Sequence, residues 1–403
     1  MNLSINPHVA QMRPSKTLAI SARARELQRE GKPVIALSAG EPDFPTPRIV
    51  SEAGMTAIQD GHTTYTDVAG LLSLRQRIAR KLESENGVRY TADEILCCNG
   101  AKQAVSQAIL ALCSPGDEVL IPAPYWVSYP DMTLLAGAVP RFIHTTAESN
   151  YRTGPAELER HITDRTRILI LCSPSNPTGS VYPRAELEAI ADVVRKHDYL
   201  FVLSDEIYER IVFGVEHVCF ASLPGMWEKT ITVNGFSKAF AMTGWRLGYM
   251  AAPEPVIRAA KKIQSQTTSG PSNISQHAGI KALELDSETV DAMIGEFQWR
   301  RDYLLEMLAE IPGIVCPKPD GAFYLFPDVS AFYGTVTPDG VSIVDSESLC
   351  LYLLETCYVA LVPGSAFGDD NGLRISYAAS RTNLQEAMRR ISSGLAALRK
   401  SAA

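Results

Sequence analysis

Five short motifs place reactive side chains just after runs of β-branched or aliphatic residues. They are Asn99-Gly100-Ala101-Lys102, Tyr125-Trp126, the SPSNPTG segment containing Asn176, Asp205-Glu206-Ile207-Tyr208 and Ser237-Lys238, with Arg246 eight residues past the lysine. In an open α/β sheet ligands bind beyond the carboxyl ends of the strands, so these are the positions where chemistry would collect. A lysine in a dry pocket or beside another cation gives up its proton more easily and becomes a nucleophile. Backbone N–H groups at a helix start, joined by a guanidinium, suit a phosphate. A buried carboxylate suits a cationic ring nitrogen, and an indole face suits an aromatic ring. Taken singly the signals are weak: a lone Ser-Lys is usually a solvated loop, a lone N-P-T-G a turn, and an Asp before a helical turn a cap. Their occurrence in order, each at a strand end, makes them one set.

That set answers the needs of pyridoxal 5'-phosphate. Lys238 is expected to take the aldehyde, as nucleophile and general base, and Asp205 to face the ring nitrogen. Asn176 and Tyr208 would donate to the phenolate oxygen, and Trp126 would stack on the ring. Gly100, Ala101 and Lys102, at a helix start, would hold the phosphate together with Arg246.

The elements that must position these groups are legible between about 90 and 250. Strand-like runs at Glu94–Cys98, Glu118–Ile121, Arg167–Leu171, Tyr199–Leu203, Thr230–Val233 and Leu247–Ala251 alternate with helical periodicity, the pattern of a mainly parallel sheet covered by helices. Leu187, Ile190, Ala191 and Val194 form one stripe, predicting an amphipathic helix over Arg184–Lys196. A helix is expected over Ser15–Arg29, then a strand Val34–Leu37. Beyond about residue 300 come strands at Ala322–Phe326, Tyr358–Val362 and Leu373–Tyr377 and a final helix striped by Leu384, Met388, Ile391, Leu395 and Leu398. The expected fold class is α/β, with an arm at 1–14, a large domain at 48–300 and a smaller α/β domain built from both termini, 15–47 and 301–403.

Composition narrows the classes. With 403 residues, 46% of them hydrophobic, the chain can bury large cores, and a net charge of -7 argues against nucleic acid. The eight cysteines form no C-x-x-C pair, and no H-E-x-x-H or other histidine cluster is present, so buried thiols and no metal are expected. No apolar run reaches membrane-spanning length and no secretory h-region is visible, which leads us to expect a cytoplasmic, small-molecule enzyme without a membrane partner. Neither a P-loop nor a G-x-G-x-x-G motif occurs.

GEPDF at 40–44, PYWVSYP at 124–130, SPSNPTG at 173–179, SDEIYE at 204–209, GFSKAFAMTGWRLGY at 235–249 and RISYA at 374–378 resemble the class I (fold type I) pyridoxal-phosphate aminotransferases. NGAKQ at 99–103 and PSKT at 14–17 narrow the resemblance to subgroup Ib aspartate aminotransferases, and within it to those that use both aspartate and prephenate. The resemblance runs almost the whole chain. It implies transamination between L-aspartate or L-glutamate and 2-oxo acids such as 2-oxoglutarate, oxaloacetate and prephenate. It assigns the α-carboxylate to Arg374, assisted by Asn176 and the Gly40 backbone, and the distal carboxylate to Lys102 and Thr17. It also implies a homodimer in which Tyr65 reaches the phosphate of the other subunit. The chain departs from many relatives in carrying Gly235 where they have a phosphate-binding Ser or Thr, leaving Ser237 as the neighbouring hydroxyl. The competing readings are another pyridoxal-phosphate enzyme, such as a C–S lyase or a cyclase, and a non-catalytic protein of the same fold.

Overall fold

The computed structural model of the chain describes residues 9, 10, 12 and 16–400, apart from the side chains of 16–18 and 287. The arm expected over 1–14 therefore lies, except at 9, 10 and 12, outside the described residues. The first long helix is Lys16–Arg29, followed by Gly31 at φ +81°, a conformation that favours glycine. Strand β1 (Ile35–Ala36) then pairs in parallel with Val359–Ala360, so the N-terminal segment is knitted to the C-terminal one.

The central element is a seven-stranded sheet made by β2 (Ile95–Cys98), β3 (Glu118–Ala123), β4 (Val139–His144), β5 (Thr166–Cys172), β6 (Phe201–Asp205), β7 (Thr230–Gly235) and β8 (Gly248–Ala251). Its spatial order is β2-β8-β7-β6-β5-β3-β4, parallel except for β8, which is antiparallel to both neighbours. Side chains alternate between two cores, as strand geometry requires. Val119, Ile121, Ile168, Ile170, Leu203 and Val233 pack with Ala104, Val105, Ala108 and Ile109 of the helix Ala101–Leu112. Leu120, Leu169, Leu171 and Val202 pack on the opposite face with Leu187, Ile190, Ala191 and Val194 of the helix Arg184–Arg195, the stripe expected from the sequence.

The sequence reading missed β4. Its segment VPRFIH contains a proline and an arginine and buries only Ile143, because β4 lies at one edge of the sheet and, unlike the fully buried β2 at the other, needs no continuous apolar run. The reading also ended β5, β6 and β7 too early, since the polar residues closing them, Cys172, Asp205 and Asn234, interrupt the aliphatic pattern while still pairing in the ladder. The boundary drawn at residue 300 falls inside one helix, Ser287–Ala309. In the final helix, Arg381–Ala396, Leu384, Met388, Ile391 and Leu395 are buried as the stripe predicted, and Leu398 lies past its end.

Because β8 runs against its neighbours, its start, not its end, reaches the edge where β2, β5, β6 and β7 finish. Cys98 and Gly235 both pair with Gly248, and Arg246 enters that edge from the loop before β8. A Cβ at Gly248 would stand 2.4 Å from the Ala101 nitrogen and 2.7 Å from the Gly100 carbonyl carbon, both backbone atoms that cannot swing away. Gly248→Ala is accordingly expected to cost about 1–3 kcal/mol of stability in a denaturant titration by forcing the helix start off the strand. Unchanged stability would show that this contact relaxes freely.

Candidate active site

The registers of β5, β6 and β7 align three strand ends. Cys172 pairs with Asp205 and Asp205 with Val233, so the segments that follow leave the sheet at one level. Together with Gly40, Lys102, Trp126, Arg246 and Arg374 they enclose a cavity of about 560 Å³.

At its floor Asp205 is buried, with its Oδ2 accepting from the Tyr129 hydroxyl at 2.7 Å and its Oδ1 from the Ile207 N–H at 3.3 Å. Burial pushes its carboxyl up to about 6, against the pull of the Tyr129 hydrogen bond. Lys238 experiences the reverse. Burial lowers its ammonium to about 8, the Arg374 guanidinium adding to the effect and the Glu41 and Asp205 carboxylates opposing it. Its Nζ donates to the Gly40 carbonyl and lies 5.6 Å from the Tyr208 ring centroid. A large fraction of such a lysine is neutral near pH 8.

Arg374 is buried as well, and burial holds its guanidinium below its ordinary range. Nη1 donates to Asn176 Oδ1 at 2.9 Å and Nη2 to the Ser38 carbonyl at 2.7 Å, while the ring of Tyr324 lies 4.6 Å away. Among the described residues it has no carboxylate partner, and its Nε makes no hydrogen bond. A buried cation held by neutral acceptors alone is a site for an anion.

A second cationic site lies at the start of the helix Ala101–Leu112. Gly100, at φ +82°, has no Cβ, and one placed there would meet an Arg246 Nη at 2.6 Å. Arg246 donates to the Thr243 carbonyl at 3.0 Å and to Asn99 at 3.4 Å, and adopts the left-handed conformation at φ 54°. The first-turn N–H groups of Ala101 and Lys102 have no carbonyl of an earlier turn to accept them, and both residues line the cavity. The Lys102 ammonium lies 5.1 Å from the Trp126 ring, its pKa lowered by burial and by Arg246.

The remaining expected residues divide. The buried Tyr208 hydroxyl shares a hydrogen bond of 2.8 Å with that of Tyr324, and Ser237 is buried at the cavity wall. Gly235 is explained by packing: a Cβ there would stand 2.8 Å from the Cα of Gly248, so the position that carries a hydroxyl in many relatives here lets β7 and β8 touch. Tyr65 does not line the cavity and is 93% exposed. The side chain of Thr17 lies outside the described residues, but Ser21, Ala24, Arg25 and Gln28 of the same helix reach the cavity.

Sequence reasoning missed Tyr129, Tyr324 and Ser38. Tyr129 was within reach, since it stands three residues after Trp126 in PYWVSYP, one helical turn on, and the two rings meet edge to face at 5.2 Å. Glu206, Glu209 and His217, which it also passed over, gather beside the end of β6. Glu209 is taken by Lys81 and by Asn86 at 2.7 Å, and Glu206 by Ser204 at 2.8 Å and the Phe220 N–H at 3.1 Å, so the cluster braces the segment carrying Asp205.

The raised pKa of Asp205 has a consequence for stability. An unfolded Asp ionises near 3.8 and the folded one near 6, so the burial penalty is absent below the first value, grows between them and is complete above the second. Asp205→Asn keeps an acceptor for Tyr129 and is expected to stabilise the ligand-free protein at pH 8 by roughly 1–3 kcal/mol, and by much less at pH 4. Equal effects at both pH values, measured by denaturant titration, would contradict that assignment.

Comparison with known proteins accords with this geometry. The chain is 55% identical to the bifunctional aspartate aminotransferase and glutamate/aspartate-prephenate aminotransferase of Petunia hybrida, over 99% of this chain and 84% of that one. It is 45% identical to the aspartate/prephenate aminotransferase of Cereibacter sphaeroides, over 97% of this chain and 98% of that one. The crystal structure of the Rhizobium meliloti aspartate aminotransferase superposes with a TM-score of 0.96 at 43% identity, over 99% of this chain and 100% of that one. That of Thermus thermophilus with maleate gives 0.91 at 41% identity, over 97% and 99%. The fold is that of the fold type I aminotransferases. The family model for aminotransferase class I and II matches residues 32–391, and with the relatives' near-complete coverage this establishes that the chain belongs to that family.

Proposed function

We propose that the chain is a pyridoxal 5'-phosphate-dependent aspartate aminotransferase that also accepts prephenate. The observation that carries the reading is the meeting, in one cavity, of a lysine with a lowered pKa, a buried carboxylate and two separate arginine sites. When bound, the cofactor supplies an aldehyde carbon for an amine and a ring that takes up the electrons released at the substrate's Cα.

The residues present fit it. Gly100, Ala101, Lys102, Ser237 and Arg246 would hold the phosphate, the guanidinium packed on Gly100 leaving no room for a Cβ. Asp205, ionised above about 6, would keep a ring nitrogen protonated, with Tyr129 fixing the carboxylate's orientation. Asn176 and Tyr208 would donate to the phenolate oxygen, and Trp126 would cover one ring face. Arg374, already oriented by Asn176 and Ser38, would clamp the substrate α-carboxylate with the help of the Gly40 segment. The neutral Lys238 Nζ would then take the proton from the substrate's Cα and hold it, a positioned transfer worth about 10² to 10⁴ in rate. Lys102 and Thr17 would receive the second carboxylate, an ammonium adapting to different reach better than a rigid fork.

The same reading holds that the chain works in the cytoplasm as a homodimer, with Tyr65 completing the phosphate site of a second copy. The exposure of Tyr65, with Ile49, Met55, Ile58 and Leu72 exposed nearby in the sequence, supports a covered surface there. It also divides the chain into an arm at 1–14, a small domain at 15–47 and 301–403 and a large one at 48–300; the β1 pairing with Val359–Ala360 supports the joining of the two termini. Among the described residues no helix is long and apolar enough to cross a membrane.

Two experiments test the reading. Borohydride reduction of the loaded protein, followed by peptide mass mapping, is expected to find the cofactor fixed to Lys238; fixation to another lysine would contradict the site. In steady-state assays with aspartate or glutamate as donor, Arg374→Ala is expected to lower kcat/KM about ten- to hundredfold for oxaloacetate, 2-oxoglutarate and prephenate alike. Lys102→Ala and Thr17→Val should depress oxaloacetate and prephenate use far more than cofactor binding. An Arg374→Ala enzyme within a few-fold of the parent would move the carboxylate site elsewhere.

A further inference from the structure

Between Lys238 and Arg246 the chain makes a loop whose backbone is unusual at two places. Ala241 stands at φ 50° and Arg246 at φ 54°, left-handed conformations that residues with a Cβ rarely adopt. Such conformations persist only where the surroundings hold them. Within the loop, the Ala241 N–H donates to the Lys238 carbonyl at 3.2 Å and the Arg246 guanidinium to the Thr243 carbonyl at 3.0 Å.

The remaining support comes from a distant segment, GEPDFPT at 40–46, which lies along the loop as a strap. The Gly40 carbonyl accepts from Lys238, and the Glu41 carboxylate from the Thr243 hydroxyl at 2.9 Å. The Thr46 Oγ1 donates to the Ala241 carbonyl at 2.7 Å and accepts from the Trp245 indole N–H at 3.0 Å. Alternate loop residues, Ala241, Thr243 and Trp245, are thus each tied to the strap. The strap is anchored in turn, since the buried Arg300 donates to Asp43 at 2.7 Å.

Thr46 differs from the other ties in that one hydroxyl joins two points of the loop to each other. One of them, Trp245, directly precedes Arg246. Its carbonyl accepts from Ser275 at 2.8 Å, and its indole packs so closely on Gly54 that a Cβ there would stand 2.6 Å away. Held at carbonyl, ring and ring nitrogen, Trp245 fixes where Arg246 leaves the loop, and the Arg246 guanidinium lies against Gly100 at the start of the helix Ala101–Leu112. Thr46 itself does not line the cavity. We propose that Thr46 is a positioning residue whose hydroxyl ties Ala241 to Trp245 and thereby sets Arg246 in the phosphate cradle beside Gly100. The inference rests on the pyridoxal-phosphate reading above and assigns part of the cradle's affinity to a residue outside it.

The test titrates the cofactor-free parent, Thr46→Val and Thr46→Ser with pyridoxal 5'-phosphate and with pyridoxal, followed by absorbance. The two probes differ only in the phosphate, so the ratio of their Kd values reads the cradle separately from the rest of the fold. Thr46→Val keeps the side-chain shape but loses both hydrogen bonds, and is expected to lower the preference for the phosphorylated probe about five- to tenfold. Thr46→Ser, which restores the hydroxyl, should return it to within about twofold of the parent, and Thr46→Ala should repeat the loss. Inorganic phosphate, titrated calorimetrically into the cofactor-free proteins, should weaken by the same factor in Thr46→Val. A merely structural role would weaken both probes alike. A preference in Thr46→Val and Thr46→Ala within twofold of the parent's would therefore overturn the role of Thr46 while leaving the cofactor reading intact. A parent that binds pyridoxal as tightly as pyridoxal 5'-phosphate would overturn the cradle itself, and the reading beneath with it.

Discussion

The site depends on register. Cys172, Asp205 and Val233 pair across three parallel strands, and this single alignment decides that a carboxylate, an amide and a lysine leave the sheet at one height. A slip of one residue in β6 would turn Asp205 to the other face. The antiparallel β8 adds Arg246 to the same edge, because a reversed strand delivers its beginning where its neighbours deliver their ends.

Gathering these groups has an energetic cost that the rest of the fold offsets. Asp205 and Lys238 are each driven toward neutrality by burial, and Arg374 is buried with no carboxylate partner among the described residues, an arrangement that favours binding over stability. The surroundings hold it in place. Behind β6, burial works against the Glu209 carboxylate, yet the Lys81 ammonium, His217 and the Asn86 hydrogen bond together outweigh it and hold the group at about 2. Glu206, bonded to Ser204, the Phe220 N–H and His217 at 3.2 Å, anchors the residue next to Asp205. Sheet cores on both faces leave the strand ends little freedom to relax.

How much of this was legible follows from which physics writes itself into local sequence. Six of the seven central strands and the helix Arg184–Arg195 were visible because burial on both sides demands apolar runs and stripes. β4 was not, since an edge strand tolerates VPRFIH. The motif residues Asn176, Asp205, Tyr208 and Lys238 could be placed at strand ends and do meet. Tyr324 and Ser38 could not be, because their partners lie 116 and 336 residues away and only the folded chain sets those distances. Gly235 shows the limit from the other direction: its loss of a hydroxyl reads as a functional departure, while the fold shows a backbone contact that excludes any side chain.

Burial among like charges, and not the lysine itself, prepares Lys238 for chemistry. The pH dependence of acetic anhydride labelling at Lys238 in the protein without cofactor, followed by mass spectrometry of its peptide, reads this out, since only the neutral amine reacts. A midpoint near 8 is expected. A midpoint near the ordinary lysine value of about 10.4 would contradict it.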